Sequence, residues 1–187
     1  DLLLIFDEVQ VGCGRTGNLW AYEQEGIKPD IMTLAKALAG GAPIGALLTT
    51  GTLAERLGPG SHGSTFGGNP LVCAAALAAM RAISDDGILE HCREMGTYLT
   101  RKLEQLKDRY DFIKDIRGRG LIIGMELAIE GGELVNAAMQ RGLLINCTVG
   151  NVLRFVPPLI VTEEEVDEAV AILDKVLAGV GPVEETK

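Results

Sequence analysis

Asp7 and Lys36 are the residues whose types and placing most suggest chemistry in this 187-residue chain. Leu2-Leu3-Leu4-Ile5-Phe6 is an apolar run of strand length, and it ends in Asp7-Glu8-Val9-Gln10. Two carboxylates and an amide thus lie just past a strand's carboxyl end, where open α/β sheets bind their ligands. A second apolar run, Asp30-Ile31-Met32-Thr33-Leu34-Ala35, delivers Lys36. An acid and a lysine that each follow a strand of one sheet suit the chemistry of pyridoxal phosphate. The lysine holds the cofactor as a Schiff base. The acid faces the pyridine nitrogen and keeps it protonated, so that the ring can accept electrons. Desolvation by Leu34, Ala35, Ala37 and Leu38 would favour the neutral, nucleophilic amine of Lys36. Spacing alone equally admits a helix-capping Asp7 and a surface Lys36.

The elements that must position this pair can be read along the chain. Between the two strands, Gly12-Cys13-Gly14-Arg15-Thr16-Gly17 matches G-x-G-x-x-G, which raises a dinucleotide-binding reading and with it an oxidoreductase. That reading needs a helix opening at the glycines. Residues 18–25 allow only about two turns before Gly26 and Pro29, short for a crossover. After Lys36, Gly40-Gly41 ends the segment, and residues 44–50 read as another buried strand. Residues 59–68 form a loop of glycines and small polar residues. Its Ser64 and Thr65 suit a phosphate, or else belong to a plain surface loop.

Asn69 followed by Pro70 predicts a helix start. The run 71–80 is apolar throughout, which predicts a helix buried all round, and Asp85-Asp86-Gly87 breaks it. Ile88, Cys92, Met95, Leu99, Leu103 and Leu106 recur at helical steps. Residues 112–117 and 121–127 read as strands around Gly118-Arg119-Gly120, where two arginines could hold an anion or serve structure. A short helix over 132–141 and two short strands, 143–146 and 152–156, follow. Arg154 lies in the second of these. A charge among apolar neighbours is costly unless paired, and its planar fork suits a carboxylate; strand alternation also permits a solvent-facing residue. Thr162 and Glu165 form a capping box for a last helix with an apolar stripe from Val166 to Leu177. The tail from Gly179 is polar and expected to fray.

FDEVQ, GRTG, AYEQEGIKPDIMTLAKALAGGAPIGA, GSTFGGNP and RFVPPL together resemble the class III pyridoxal-phosphate aminotransferases, in the branch acting on acetylornithine, ornithine and succinylornithine. The likeness covers nearly the whole chain. It implies an α/β fold of the aspartate-aminotransferase type, fold type I, entered midway. Residues 1–70 would be the later half of the cofactor-binding large domain with a mainly parallel sheet. Residues 71–84 would be an interdomain helix, and 85–187 a small α+β C-terminal domain. The resemblance further implies that Lys36 carries pyridoxal 5'-phosphate and Asp7 pairs its ring nitrogen. Val9 would pack on the ring, Gln10 reach its hydroxyl, and Thr65 bind its phosphate in the neighbouring subunit of a homodimer. Ser64 would lie beside the substrate and Arg154 would take a substrate carboxylate. The implied reaction moves the δ-amino group of N-acetylornithine to 2-oxoglutarate, a step of arginine biosynthesis; ornithine, succinylornithine and 4-aminobutyrate are the alternative donors. The family builds its site from more than this stretch, so the 187 residues alone are expected to be inactive, and a non-catalytic assembly module is the remaining alternative.

Composition bounds the rest. Hydrophobic residues make up 47%, ample for a core, and the net charge of −9 with no basic tract argues against nucleic acid and anionic membrane surfaces. Four cysteines without a C-x-x-C, and two scattered histidines, predict reduced thiols, no structural metal and a cytoplasmic protein.

Overall fold

The structure is a computed structural model that describes residues 2–180. Residues 181–187 of the expected polar tail lie outside the described residues. By packing, the chain divides into two compact units, Asp1–Glu90 and His91–Lys187.

The first unit is built on a three-stranded sheet, order β1-β2-β3, from β1 (Ile5–Asp7), β2 (Ile31–Leu34) and β3 (Ala46–Thr49). β1 and β2 pair in parallel, with Ile5 opposite Ile31 and Asp7 opposite Thr33. β2 and β3 pair antiparallel, so the described part of the sheet is mixed and not mainly parallel. The connection explains this. A parallel return needs a crossover of a dozen or more residues, usually a helix. Between β2 and β3 lies only the 3-10 turn Lys36–Ala39 and a glycine bend.

Met32, Leu34, Leu38, Ala39, Val72 and Ile83 are among the buried apolar residues of this unit. A single helical turn, α1 (Gly51–Ala54), precedes the glycine-rich loop and the long helix α2 (Pro70–Asp85). Asn69 caps α2 by accepting the Val72 amide at 3.2 Å, with Pro70 at the first position. The expected burial of α2 on every side is not found: only Val72 and Ile83 are buried, and Leu71 is 80% exposed. Leu2, Leu3, Ile5, Leu47 and Leu48 are likewise exposed, against the buried strands expected there. An apolar sequence demands a cover, and the described residues supply none for these.

The second unit is a four-stranded antiparallel sheet of order β4-β5-β7-β6: β4 (Ile113–Arg119), β5 (Ile122–Leu127), β6 (Asn146–Thr148) and β7 (Val152–Phe155). Its helices are α3 (Ile88–Lys107, which begins at the end of the first unit), α4 (Gly132–Met139) and α5 (Glu163–Leu177). The stripe Cys92, Met95, Leu99, Leu103, Leu106 of α3 joins Val166, Leu173, Val176 and Leu177 of α5 in one core. Ile123, Met125, Leu127, Leu153 and Phe155 meet them from alternate sheet positions. The α5 capping box forms: Glu165 N–H donates to Thr162 Oγ1 at 3.3 Å, and Thr162 N–H to Glu165 Oε2 at 2.9 Å. Tyr110 donates to Asp174 Oδ1 at 2.6 Å, tying the segment after α3 to α5. That hydroxyl first, and Arg109 after it, hold the Asp174 carboxyl below its ordinary range.

Gly96 sets how closely α3 approaches the sheet. A Cβ there would stand 2.3 Å from the Gly120 carbonyl oxygen, a backbone atom with no freedom to swing aside. Gly96→Ala is therefore expected to destabilise the unit by about 1–3 kcal/mol, the usual range for overpacking. Urea denaturation measures it; an unchanged midpoint would mean that α3 can lift off the β4–β5 turn at no cost.

Candidate active site

Asp7 closes β1 and Lys36 follows β2 by two residues, so both leave the carboxyl ends of adjacent parallel strands. Asp7 is exposed, and its Oδ1 accepts the Val9 amide at 3.0 Å and the Thr33 hydroxyl at 3.3 Å. The first bond is an Asx turn, which bends the chain immediately after the strand. Among the described residues no hydrogen bond engages Oδ2. Val9 is half-buried and Gln10 exposed in the same turn.

Lys36 begins its 3-10 turn at φ +46°, in the left-handed region that a side chain makes unfavourable. Backbone strain of this kind gathers at functional sites, where the surrounding structure over-determines the residue. The desolvation expected of its neighbours is not supplied by the described residues. Leu34 and Leu38 turn into the core, whereas Lys36 is exposed. Sequence neighbours desolvate a side chain only if the backbone aims them at it, and this turn aims them away.

Glu8 was legible in the sequence only as the second carboxylate of the pair, and the structure gives it a distinct place. It is 3% exposed. Its Oε2 accepts the Ala21 amide and its Oε1 the Tyr22 amide, each at 2.9 Å, at the start of the 3-10 helix Ala21–Glu25. The strand alternation that exposes Asp7 was the signal that would have predicted it.

The glycine motif closes onto this carboxylate. A Cβ on Gly12 would lie 2.9 Å from the Glu8 carbonyl oxygen and 3.2 Å from Oε2. Gly14 and Gly17 take positive φ in tight turns, and the Gly17 amide bonds to the Gly14 carbonyl at 2.9 Å. No helix opens at these glycines, so the dinucleotide-binding geometry is not formed. Burial, and then the nearby Glu8 carboxylate, push the Cys13 thiol above its ordinary value.

Ser64 and Thr65 are exposed in the loop before α2. Asn69 fixes that loop from its far end, its Nδ2 donating to the Phe66 carbonyl at 2.9 Å. In the second unit, Arg154 is half-buried on β7, opposite Gly124 of β5 and Asn146 of β6. Leu153 and Phe155 enter the core, so Arg154 belongs to the other face of that sheet. Arg117 pairs with Asp115 at 2.9 Å and also with Glu126, which gives it a structural role in the β4–β5 hairpin. Among the described residues no group of His, Cys, Asp and Glu could hold a metal ion, and no helix is long and apolar enough to cross a membrane.

The sequence profile described as aminotransferase class-III matches residues 1–177. An acetylornithine aminotransferase of Caldanaerobacter subterraneus subsp. tengcongensis is 54% identical over 179 residues, covering 95% of this chain and 45% of its own length. One from Methanocaldococcus jannaschii is 51% identical, covering 94% and 44%. Among solved structures, an ornithine aminotransferase from Toxoplasma gondii superposes with a TM-score of 0.89 at 38% identity, over 96% of this chain and 43% of that one. An acetylornithine aminotransferase from Elizabethkingia anophelis does so at 0.88 and 38%, over 96% and 46%. The chain thus spans less than half the length of these relatives and shares the fold of that portion.

Proposed function

The chain belongs to the class III aminotransferase family, and we propose that it carries the lysine, the acid and part of the substrate site of a pyridoxal-phosphate enzyme. The reaction we assign is transfer of the δ-amino group of N-acetylornithine to 2-oxoglutarate, within arginine biosynthesis. The observation that carries this reading is the parallel pairing of β1 with β2, which puts Asp7 and Lys36 at one end of one sheet. The donor set fits the cofactor. Asp7 has one oxygen engaged locally and the other without a hydrogen bond among the described residues, and Lys36 offers an exposed amine from a backbone held at φ +46°.

Pyridoxal phosphate, when bound, supplies an electron sink for the carbanion left as the donor loses its proton. Lys36 would anchor it and, once freed, take and return the proton at the donor's reacting carbon. Asp7 would hold a positive charge on the ring nitrogen. Val9 would press on the ring and Gln10 meet its hydroxyl. Thr65 would bind the phosphate in the partner subunit of a homodimer, with Ser64 beside the substrate. The division into a cofactor segment (1–70), a connecting helix (71–84) and a C-terminal domain (85–187), and a cytoplasmic location, belong to the same proposal. N-acetylornithine is favoured by the names and identity of the curated relatives. The likeness to the Toxoplasma gondii ornithine aminotransferase makes ornithine the second reading.

The test is an assay of the complete polypeptide with 2-oxoglutarate as acceptor against N-acetylornithine, ornithine, succinylornithine and 4-aminobutyrate. N-acetylornithine should give the highest kcat/KM; a higher value for another amine would replace it as donor. Arg154→Ala should raise the KM of the carboxylate-bearing donor about ten- to a hundredfold, the loss of one charge-assisted fork, with the bound cofactor's spectrum unchanged. An equal rise for a donor amine lacking that carboxylate would show that Arg154 acts through folding instead.

A further inference from the structure

The turn that carries Asp7 is gripped from its opposite side, and we propose that Glu8 is a positioning residue for Asp7. It fixes the chain just past β1, so that one Asp7 oxygen is engaged by the Val9 amide and the other is presented to the cofactor's ring nitrogen. The inference rests on the reading of Asp7 as the acid that faces that nitrogen.

Adjacent side chains at a strand end point to opposite faces. Phe6 and Glu8 share the face away from Asp7, and the Phe6 ring lies 6.3 Å from that of Tyr22. A buried carboxylate is costly unless its lone pairs are satisfied. Here each oxygen takes one amide of the 3-10 helix, from Ala21 and from Tyr22. The backbone of Glu8 is held as well. Its N–H donates to the Thr33 carbonyl at 3.0 Å, a ladder bond of the Asp7–Thr33 pair, and its carbonyl accepts the Gly12 amide at 2.9 Å. Gly12 has no space for a side chain, so the turn that encloses Val9, Gln10 and Val11 closes tightly on Glu8. Val9 follows Glu8 directly, and its amide is one of the two donors that set the Asp7 side chain. Releasing the Glu8 carboxylate would let that amide drift, and Asp7 would lose its fixed rotamer.

The experiment uses the complete polypeptide loaded with pyridoxal phosphate labelled with ¹⁵N at the ring nitrogen, whose chemical shift reads the ring's protonation. The variants are Asp7→Asn, Glu8→Gln, the Asp7→Asn/Glu8→Gln double and Ala21→Pro. Ala21 is the first residue of its helix, and Trp20 before it is extended at φ −122°, ψ 139°. Proline suits that position and removes only the N–H that reaches Glu8. Glu8→Gln and Ala21→Pro should each shift the resonance part of the way toward that of Asp7→Asn. The double variant should move no further than Asp7→Asn, because Glu8 acts through Asp7.

A wild-type resonance in both Glu8→Gln and Ala21→Pro, with only the melting temperature lowered, would overturn the inference and reduce Glu8 to a loop fastening. A double variant displaced beyond Asp7→Asn would do the same. If Glu8→Gln does not fold, Ala21→Pro decides alone. A wild-type protein that retains no cofactor, or holds it with a neutral ring, would overturn the reading of Asp7 itself and the inference with it.

Discussion

Lys36→Ala is expected to lower transamination by the complete polypeptide by roughly 10⁴-fold or more while the protein still unfolds cooperatively. Positioned acid–base groups contribute up to about 10⁴-fold on their own, and this substitution also removes the covalent anchor. The fold should survive because Lys36 is exposed, while the packing beside it belongs to Leu34, Leu38 and Ala39. The backbone provides a control. Lys36 sits at φ +46°, which alanine tolerates no better than lysine. Lys36→Gly should therefore be as inactive as Lys36→Ala yet more stable, by about 1–2 kcal/mol, the cost of holding an L side chain in the left-handed region. Turnover assays and urea denaturation of both variants measure the two effects separately. Near-normal turnover in either would remove Lys36 from the centre of the site.

The second large effect is expected at Asp7. Asparagine keeps an oxygen that can accept the Val9 amide and the Thr33 hydroxyl, so the turn should hold and the cofactor should stay bound. What is lost is the negative charge. An opposite charge at close range shifts a proton equilibrium by about one to three pKa units, so the ring nitrogen should bind its proton roughly ten- to a thousandfold less tightly. Single-turnover removal of the donor's proton should slow by a factor in that range, with Lys36 intact. A rate equal to wild type would show that Asp7 does not face the ring nitrogen.

The local grammar of the chain is legible in its sequence. Asn69 and Pro70 start α2, Asp86 and Gly87 end it, and Thr162 with Glu165 caps α5. The stripe of α3 from Cys92 to Leu106 is buried as its spacing requires. These features depend on residues within a few positions of one another, so a short window contains their cause. The recurrence of whole motifs around Asp7 and Lys36 carried the family in the same way.

Other features depended on partners distant in sequence. An apolar run has no phase, so residues 71–80 and Leu2-Leu3-Leu4-Ile5 read as buried, yet most of their surface is open among the described residues. Gly96 gives no sign in sequence that Gly120 is its neighbour, because helix and hairpin meet only in the folded unit. The sequence by itself determined that an acid and a lysine each follow a strand. Only the tertiary structure decided that those strands are adjacent and parallel, in a register that sets Asp7 against Thr33, and that Glu8 is buried behind them. Pairing and register are chosen by the sheet as a whole, through backbone bonds that every residue type can make, so no single stretch of sequence contains them.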